Sequence, residues 1–564
     1  MPSRSHILAV LMAGGVACLM GCSGVSRFHQ TAASKSGDPA AAGPDDNYSS
    51  NAIAARTEAH AHYAAGVIHD LNEEPDKAAD EFFQAAMADL GNEDLVIETS
   101  LRLLRLKKLD RAIELLAKAA ALPDAPGSVL ARLGLAYSMA GKKELAIAAN
   151  RKAIRRNPEN LAGYQYLAQL YLQNNQAEEG IRVLNDAARQ TRADAVYLID
   201  LGETYVMFAR AGRMDAVKTP ALDAFHRAAA LKPANLALLQ RLADGLNFFS
   251  DADAAARIYT QLLARLPKLA GVREKLVEIL IRRQDRTNAI VHLRMLVGDN
   301  PTSPQFNYLL GTLLFEERLP KEGAEYLNKA LRFNADFEPA YYDLAAAQLN
   351  LKKADDALET LEKARKRFQQ NFVGEFYTAL AYSQLKDHTN ALKYLTSAEV
   401  IARAKETNRL THAFYFQLGS AYERIQKFKE AETYFRKSLA LSPDFAEALN
   451  YLGYMWADRG ENLQEAREMI EKAVRLEPKN SAFLDSLAWV LFKLDKPQEA
   501  LRYIQKAIEN NEEPDATLYE HLGDIFSALH KTDQAHQAFQ KAYSLDPNEQ
   551  IQRKLKGAPA AAPR

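Results

Sequence analysis

The sequence has little cysteine, little tryptophan and no surplus of charge of either sign. Its 564 residues include two Cys and two Trp, and 71 basic residues nearly balance 72 acidic ones, for a formal net charge of −1 at pH 7. Proteins that neutralise many phosphates carry a basic excess, so this composition argues against a nucleic-acid partner. Beyond the N-terminal segment, no apolar stretch approaches the roughly 18 residues that a membrane-spanning helix needs. We therefore expect neither nucleic-acid binding nor a spanning helix in the body of the chain.

Motifs that carry catalysis are also missing. The sequence contains neither Gly-x-Ser-x-Gly nor His-Glu-x-x-His, which mark serine hydrolases and zinc proteases. Six residues separate Gly134 from Gly141, and no Ser or Thr follows the next lysine, so this segment does not match a phosphate-binding loop. His60 and His62 have no carboxylate or Cys at ligand spacing beside them. The sequence predicts a protein that is not an enzyme and that takes no metal, cofactor or small-molecule substrate.

The first 22 residues have the organisation of a cleaved export signal. Arg4 precedes the apolar run 7–12, and the segment ends in Leu-Met-Gly-Cys at 19–22. The apolar part is too short and too rich in Gly and Ala for a membrane span. Its last residues resemble the lipobox of bacterial lipoproteins, in which the Cys, here Cys22, is diacylated, the leader is removed and the new amino terminus is acylated. The alternative is an ordinary secretory leader that happens to contain a Cys.

The lipobox resemblance implies an anchored protein with a single cysteine. Residues 1–21 would be the signal peptide, and Cys18 lies inside it, so the mature chain would keep only Cys22 and form no internal disulfide. Residues 22–58, rich in Ala, Ser, Gly and Asp, would form a flexible tether. Ser23 stands where Asp would resemble an inner-membrane retention signal of enterobacterial lipoproteins. We expect a lipid-anchored, periplasm-facing protein of the cell envelope at the outer membrane, with the inner membrane as the alternative.

The rest of the chain repeats one pattern of about 34 residues. Residues 59–549 align on themselves in about fourteen copies, with a small residue at the eighth position, Ala at the twentieth and Pro near the thirty-second. The clearest copy starts at His412 and contains Leu418-Gly419-x-x-Tyr422. This pattern resembles the tetratricopeptide repeat.

Each copy also predicts a pair of helices on physical grounds. Apolar residues recur at helical spacing in two runs, which a polar turn such as 426–429 separates. Small residues let the two helices approach closely, and the proline ends the second helix. One hairpin cannot bury its apolar face alone, so successive copies must stack. We predict an all-α fold, a right-handed α-solenoid superhelix of about fourteen helical hairpins over 59–549, with a cap end and a disordered tail at 550–564.

Some copies depart from the pattern at their joints or carry insertions. About seven extra residues lie around 210–216 and about six before His412, and insertions in repeat proteins fall in loops. Gly180 and Gly323 replace the alanine at the twentieth position. Asn150 replaces the large apolar residue at the twenty-fourth position of the third copy. We expect the joints at these three residues to be looser than the others.

The resemblance implies where a partner would bind. In tetratricopeptide repeats the first helix of each pair lines a concave face, into which positions two, five, nine, twelve and thirteen point. Aromatic and polar residues occupy these positions in the later copies. Two interpretations stay open, because such rings either anchor a bound segment or pack against the neighbouring copy. The predicted groove residues are Tyr308, Phe315, Tyr342, Phe376, Phe416, Arg424, Asn450, Tyr454, Asp485, Trp489 and Phe492, with Glu423, Glu447, Asp458 and Lys493 as further polar neighbours.

The last copies also suggest a class of function. No copy pairs Lys at position five with Asn at position nine, which the family uses to clamp a carboxyl terminus. Segments 450–460, 484–490 and 520–524 look like the end of long bacterial tetratricopeptide lipoproteins, some of which recruit a carboxyl-terminal processing protease and its cell-wall hydrolase substrates. The resemblance implies a non-enzymatic scaffold or adaptor that binds proteins or peptide segments at the cell envelope. The alternative is a component of an outer-membrane protein assembly or of a polysaccharide or protein export machine.

Overall fold

The computed structural model describes residues 50–557, and within that range the chain forms helices and short connections without a strand. The predicted signal peptide, Cys22, most of the tether and the C-terminal tail fall outside the described residues. The described residues form two compact units, an N-terminal unit of residues 50–292 and a C-terminal unit of residues 293–557. None of the described helices is both long enough and apolar enough to cross a bilayer.

The N-terminal unit is a series of helical hairpins in which each helix packs on the next along the chain. Its first helix begins inside the segment predicted as tether, whose last residues are rich in alanine and so continue the helix. The helices are α1 Ser50–Leu71, α2 Pro75–Ala88, α3 Glu93–Arg105, α4 Leu109–Ala120, α5 Gly127–Met139, α6 Lys143–Arg156, α7 Leu161–Gln173, α8 Ala177–Ala188, α9 Ala195–Phe208, α10 Met214–Ala230, α11 Leu236–Phe248, α12 Ala252–Arg265 and α13 Ala270–Arg282; α14, Arg286–Asp299, contains the boundary between the units.

The C-terminal unit continues the same pattern of paired helices and ends in one unpaired helix, α29. The first helix of each pair packs against its own partner and then against the next pair, which confirms the predicted stack of hairpins. The helices are α15 Pro304–Glu316, α16 Pro320–Phe333, α17 Glu338–Asn350, α18 Ala354–Arg367, α19 Phe372–Gln384, α20 His388–Lys405, α21 His412–Arg424, α22 Phe428–Leu441, α23 Ala446–Arg459, α24 Leu463–Leu476, α25 Ser481–Lys493, α26 Pro497–Asn510, α27 Ala516–Ala528, α28 Thr532–Leu545 and α29 Glu549–Gly557.

A residue in the left-handed region turns the chain inside most hairpins. Arg318, Lys352 and Gln426 have φ of 62°, 61° and 61°, a conformation that costs an L-residue about 1 kcal/mol. The packing of the two helices holds each turn in this shape. The turn before α22 is shorter than the predicted 426–429, because Phe428 and the residue after it are already helical.

Glycines at two joints mark close contacts between neighbouring segments. A Cβ on Gly180 would lie 2.6 Å from Cζ of Phe208, and one on Gly323 would lie 2.8 Å from the carbonyl oxygen of Gly311. Both distances are too short for a side chain, so glycine is what permits the approach. The prediction that these joints are loose is therefore wrong.

Part of each insertion lengthens a helix, and the rest turns the chain outside helical geometry, as Ala211 and Gly212 do in the first. In the first, α9 runs into a five-residue π-type turn, Ala209–Arg213, in which Gly212 has φ of 84°. The second lengthens α20 to 18 residues and adds a short 3-10 turn, Thr407–Arg409. The predicted loops around 210–216 and before His412 are therefore shorter than expected, with connections left at 209–213 and 406–411.

Candidate functional site

The first ring of the predicted groove belongs to the core. The aromatic residues at position five of four successive copies form what we call the aromatic ladder: Tyr308, Tyr342, Phe376 and Phe416. Tyr308, on α15, is 1% exposed, and its ring packs edge-on against Phe337 with the ring centroids 4.8 Å apart. Burial and then the nearby Asp343 carboxylate raise the pKa of its hydroxyl. A partner cannot reach this ring, so the prediction that Tyr308 anchors a bound segment is wrong.

The next two members of the aromatic ladder are tied to their own chain. The Tyr342 hydroxyl donates to Oε1 of Glu338 at 2.9 Å and accepts from Nδ2 of Asn371 at 2.7 Å. Phe376 stacks on Phe372 with ring centroids 5.6 Å apart. Both side chains are half-buried, and these contacts favour packing within the unit over binding.

The last member, Phe416 on α21, contacts three rings. Its centroid lies 5.8 Å from that of Phe435, 5.4 Å from that of Phe445 and 5.1 Å from that of Tyr451. Phe315, at position twelve of an earlier copy, is half-buried against α16. These neighbours favour packing within the unit for Phe416 and Phe315, as the contacts of Tyr342 and Phe376 do.

Trp489 and Phe492, both on α25, form part of a stack of rings. Trp489 is 8% exposed, and its centroid lies 4.1 Å from that of His521 and 5.2 Å from that of Phe492. The Lys493 ammonium lies 4.9 Å from the Trp489 ring centroid, close enough for a cation–π contact. The stack joins α25 to α27.

A buried histidine and carboxylate pair lies beside this stack. Nδ1 of His521 is 2.8 Å from Oδ1 of Asp485, and both side chains are buried. Burial opposes protonation of His521, but the carboxylates of Asp485, Asp524 and Glu520 outweigh it, so the pKa of His521 is raised. The charge of Asp485 therefore has a partner inside the unit when His521 is protonated.

The acidic residues of α27 are paired by the last helix. Nζ of Lys554, on α29, lies 2.8 Å from Oε1 of Glu520 and 2.5 Å from Oδ2 of Asp524. Burial raises the pKa of Asp524 in spite of this pairing. Across residues 50–557, no three His, Cys, Asp or Glu side chains are placed to hold a metal ion.

An open pocket of about 350 Å³ lies on the first helices of the last four hairpins. We call it the C-terminal pocket. Helices α21, α23, α25 and α27 and the connection before α27 supply its walls. Its lining residues are Glu423, Arg424, Asn450, Tyr451, Tyr454, Met455, Ser481, Ala482, Asp485, Ser486, Asn511, Asp515, Thr517 and Leu518.

Two hydrogen-bond acceptors in this lining lack a donor. Oδ1 of Asn450 and Oε2 of Glu423 are buried and have no hydrogen-bond partner within the described part of the chain. Asn450 is 6% exposed as a whole residue, and the nearest cation to Glu423 is the guanidinium of Arg424, whose Nε is 3.5 Å from Oε2. Buried polar atoms are almost always paired in folded proteins. The C-terminal pocket therefore has two unmet acceptors in its wall that are closed to solvent, and a ligand could reach them by displacing neighbouring side chains.

Four carboxylates influence Tyr454, a tyrosine in the lining of the pocket. Tyr454 projects from α23, and burial raises the pKa of its hydroxyl, with further contributions from Asp458, Asp485, Glu423 and Glu520 in that order. Each of these carboxylates opposes loss of the hydroxyl proton.

The sequence predicted part of this site and missed the rest. Four predicted groove residues, Arg424, Asn450, Tyr454 and Asp485, line the C-terminal pocket together with Glu423, which was a predicted polar neighbour. Ala482 and Thr517 stand at position two of their copies, and reading that position would have found them. The other lining residues come from helix positions outside the implied set or from the connection before α27, and no repeat signal marks them.

Models of one repeat family match the chain in several places. The tetratricopeptide repeat matches residues 416–481 and 486–549, and further models of it match residues 339–371 and 127–160. The stretches 416–481 and 486–549 include every lining residue of the C-terminal pocket except Ala482 and Asp485, which lie between them. The matches support a tetratricopeptide-repeat protein.

Known proteins resemble this chain over parts of its length. A TPR repeat-containing protein of Pseudomonas aeruginosa, PA4667, is 30% identical over 189 residues, which cover 34% of this chain and 31% of that protein. Tetratricopeptide repeat protein 13 of Homo sapiens is 27% identical over 181 residues, 30% of this chain and 20% of its own. The chain thus spans a third or less of these relatives. A solved tetratricopeptide repeat protein from Parabacteroides merdae is 21% identical and covers 45% of this chain and 97% of its own, with a TM-score of 0.37.

Proposed function

From the premise that the chain carries tetratricopeptide repeats, we propose that it is a non-enzymatic scaffold that binds a peptide segment of a partner protein in the C-terminal pocket. One observation carries this proposal: four consecutive first helices meet around an open pocket in which buried acceptors of Asn450 and Glu423 have no donor. An extended segment brings backbone N–H donors and side chains, which suit such a surface. The repeats on either side supply the rigid frame.

We further propose that the scaffold acts at the bacterial cell envelope, held by lipid on Cys22. Support comes from the lipobox-like residues 19–22 and the Ala- and Pro-containing segment that follows. Acylation of the Cys and of the new amino terminus would give the two or more chains that stable anchoring requires. Within this proposal the leading role is recruitment of a processing protease or cell-wall hydrolases at the outer membrane.

A direct test of the anchor compares the full chain with Cys22→Ser in a bacterial host that processes lipoproteins. We expect the original chain to be membrane-bound and to carry acyl mass at an amino terminus that starts at Cys22. The variant should keep its leader and carry no acyl mass. Intact-mass spectrometry that finds the same unmodified amino terminus in both forms would contradict the lipid anchor.

The pocket itself can be tested by site-specific crosslinking. Replacing Arg424 with p-benzoylphenylalanine puts a photoreactive group at the pocket, and the same replacement of the exposed Arg502 on α26 serves as control. We expect a partner from envelope membranes to be captured at position 424 and not at 502. Equal capture at both positions, or none at 424, would remove the pocket as the binding site. A protease or hydrolase as the captured partner supports the leading role, and an export or outer-membrane assembly component supports the alternative.

A further inference from the structure

The lining of the C-terminal pocket is unbalanced in charge. The lining holds three carboxylates, those of Glu423, Asp485 and Asp515, and one guanidinium, that of Arg424, while Asp485 is also paired with the buried His521. Arg424 is exposed, and its Nε is 3.5 Å from Oε2 of Glu423, which makes an ion pair but is too far for a hydrogen bond. Asp515 lies in the connection before α27, where its Oδ1 accepts from the backbone N–H of Thr517. The pocket therefore favours a ligand with positive charge.

The unmet polar atoms indicate the same sign. Oδ1 of Asn450 and Oε2 of Glu423 can only accept hydrogen bonds, so they need a ligand rich in donors. A carboxylate brings acceptors alone and would add repulsion from Glu423 and Asp485. A lysine ammonium brings three donors, and an arginine guanidinium brings five. Charge and hydrogen bonding thus select the same kind of group independently.

The apolar part of the lining suits a long side chain. Tyr451, Tyr454, Met455 and Leu518 supply apolar surface beside the carboxylates. Lysine and arginine lay their methylene stems along such surface while the charged end reaches polar groups, and a tyrosine ring also attracts a cation. A volume of about 350 Å³ has room for one such side chain and the backbone that bears it.

We propose that the C-terminal pocket receives a lysine or arginine side chain from an extended segment of the partner protein. This inference rests on the proposed peptide-binding function and deepens it by naming the chemistry of the segment. Glu423 and Asn450 receive donors from the cationic end group, and Asp485 adds long-range attraction while it stays paired with His521. The exposed Arg424 moves aside when the ligand enters.

Four pools of acetylated and amidated nonapeptides provide the probe, each with random flanking residues and a fixed central residue: lysine, arginine, norleucine or glutamate. Binding to the full chain in detergent is measured by fluorescence anisotropy. We expect the lysine and arginine pools to bind about tenfold more tightly than the norleucine pool, because a charge-assisted hydrogen bond is worth about one decade. The glutamate pool should bind most weakly, and added salt should narrow the differences.

Two variants that each remove one negative charge show whether the preference for lysine arises at the C-terminal pocket. Glu423→Gln should reduce the preference for lysine over norleucine to about twofold or threefold, whereas Glu468→Gln, on the exposed side of α24, should leave it unchanged. Asn450→Leu, which removes an acceptor without changing charge, provides a second variant if Glu423→Gln does not fold. Equal binding of the lysine and norleucine pools would overturn the cation inference and leave peptide binding intact. Binding of none of the four pools by the folded chain would overturn both.

Discussion

Two regions of the C-terminal unit place different residues at the same repeat position, and their pockets differ in size. The pocket beside the ladder residue Tyr342 holds about 20 Å³, and the C-terminal pocket holds about 350 Å³. In the aromatic ladder, position five carries a large ring that reaches the residue just before the next hairpin, as Tyr308 reaches Phe337 and Phe416 reaches Phe445. Around the C-terminal pocket, position five carries Asn450 or Asp485. These side chains are too short to fill the same space, so the joint stays open.

The comparison shows how one scaffold provides both rigid and receptive segments. Burying a large aromatic side chain contributes about 1.5–3 kcal/mol, so each filled joint strengthens the stack. An Asn or Asp at the same place gives up that contribution and leaves polar atoms that need partners. Near the pocket the stack is held by other rings, among them Trp456 and Trp489, both buried. Around the C-terminal pocket, the packing at position five is therefore missing, while other contacts hold the surrounding helices in place.

The largest expected effect on stability comes from removing one ring of the aromatic ladder. Phe416→Ala removes contacts to three aromatic neighbours and should lower the free energy of unfolding of the surrounding hairpins by about 3 kcal/mol. Hydrogen exchange should show lost protection in α21 to α23 and little change in α15 and α16, because each repeat contacts mainly its neighbours.

Phe333→Ala is the matched control for that substitution. Phe333 is 42% exposed on α16, and its loss should change stability by less than about 0.5 kcal/mol. If Phe416→Ala were as harmless as this control and yet weakened peptide binding, the ladder would be a binding groove and the comparison between the two regions would fail.

An aromatic residue placed at position five of the C-terminal pocket, as in the aromatic ladder, should affect stability less than the loss of Phe416 does. It should affect binding strongly. Asn450→Phe enlarges a side chain that is 6% exposed but borders the pocket, so the free energy of unfolding should fall by roughly 1–2 kcal/mol. Binding of the lysine-centred peptide pool should weaken at least about tenfold, because the ring fills the site and removes an acceptor. Asn328→Phe, on the exposed face of α16, should leave both measurements unchanged.

The sequence was sufficient for the hairpins because their signals are local. Gly419 at position eight stands where an added Cβ would lie 2.6 Å from the ring of Phe435, and this close approach repeats at about 34-residue intervals. Such a contact depends on two residues of one copy, so periodicity reveals it. The same periodicity placed Asn450 and Asp485 on the face that turned out to hold the pocket.

The sequence could not decide which aromatic residues were packed. Burial at position five depends on the residue that precedes the next hairpin, such as Phe337 or Phe445, and on the connection between copies, which varies in length. Asn511 and Asp515 enter the pocket from one such connection. Side chains from connections have no fixed repeat position, so their place follows only from the folded arrangement.

The smallest expected effect is a pH dependence confined to the pocket region. Burial opposes charge on His521, but the carboxylates of Asp485, Asp524 and Glu520 raise its pKa. Protonated His521 therefore stabilises the folded state fully below the pKa of the unfolded chain, about 6.5, and this stabilisation is lost as the pH rises through the pKa of His521 in the folded state. Both tryptophans, Trp456 and Trp489, lie in this region, so their fluorescence in a denaturant titration reports on it selectively. We expect the denaturant concentration at the midpoint of unfolding to be lower at about pH 9 than at about pH 6. The corresponding loss of stability should be smaller than the loss caused by Phe416→Ala. The pH effect should shrink in His521→Gln and persist in His536→Gln on α28. A midpoint with the same pH dependence in the original chain and both variants would show that the His521–Asp485 pair does not distinguish the pocket from the ladder.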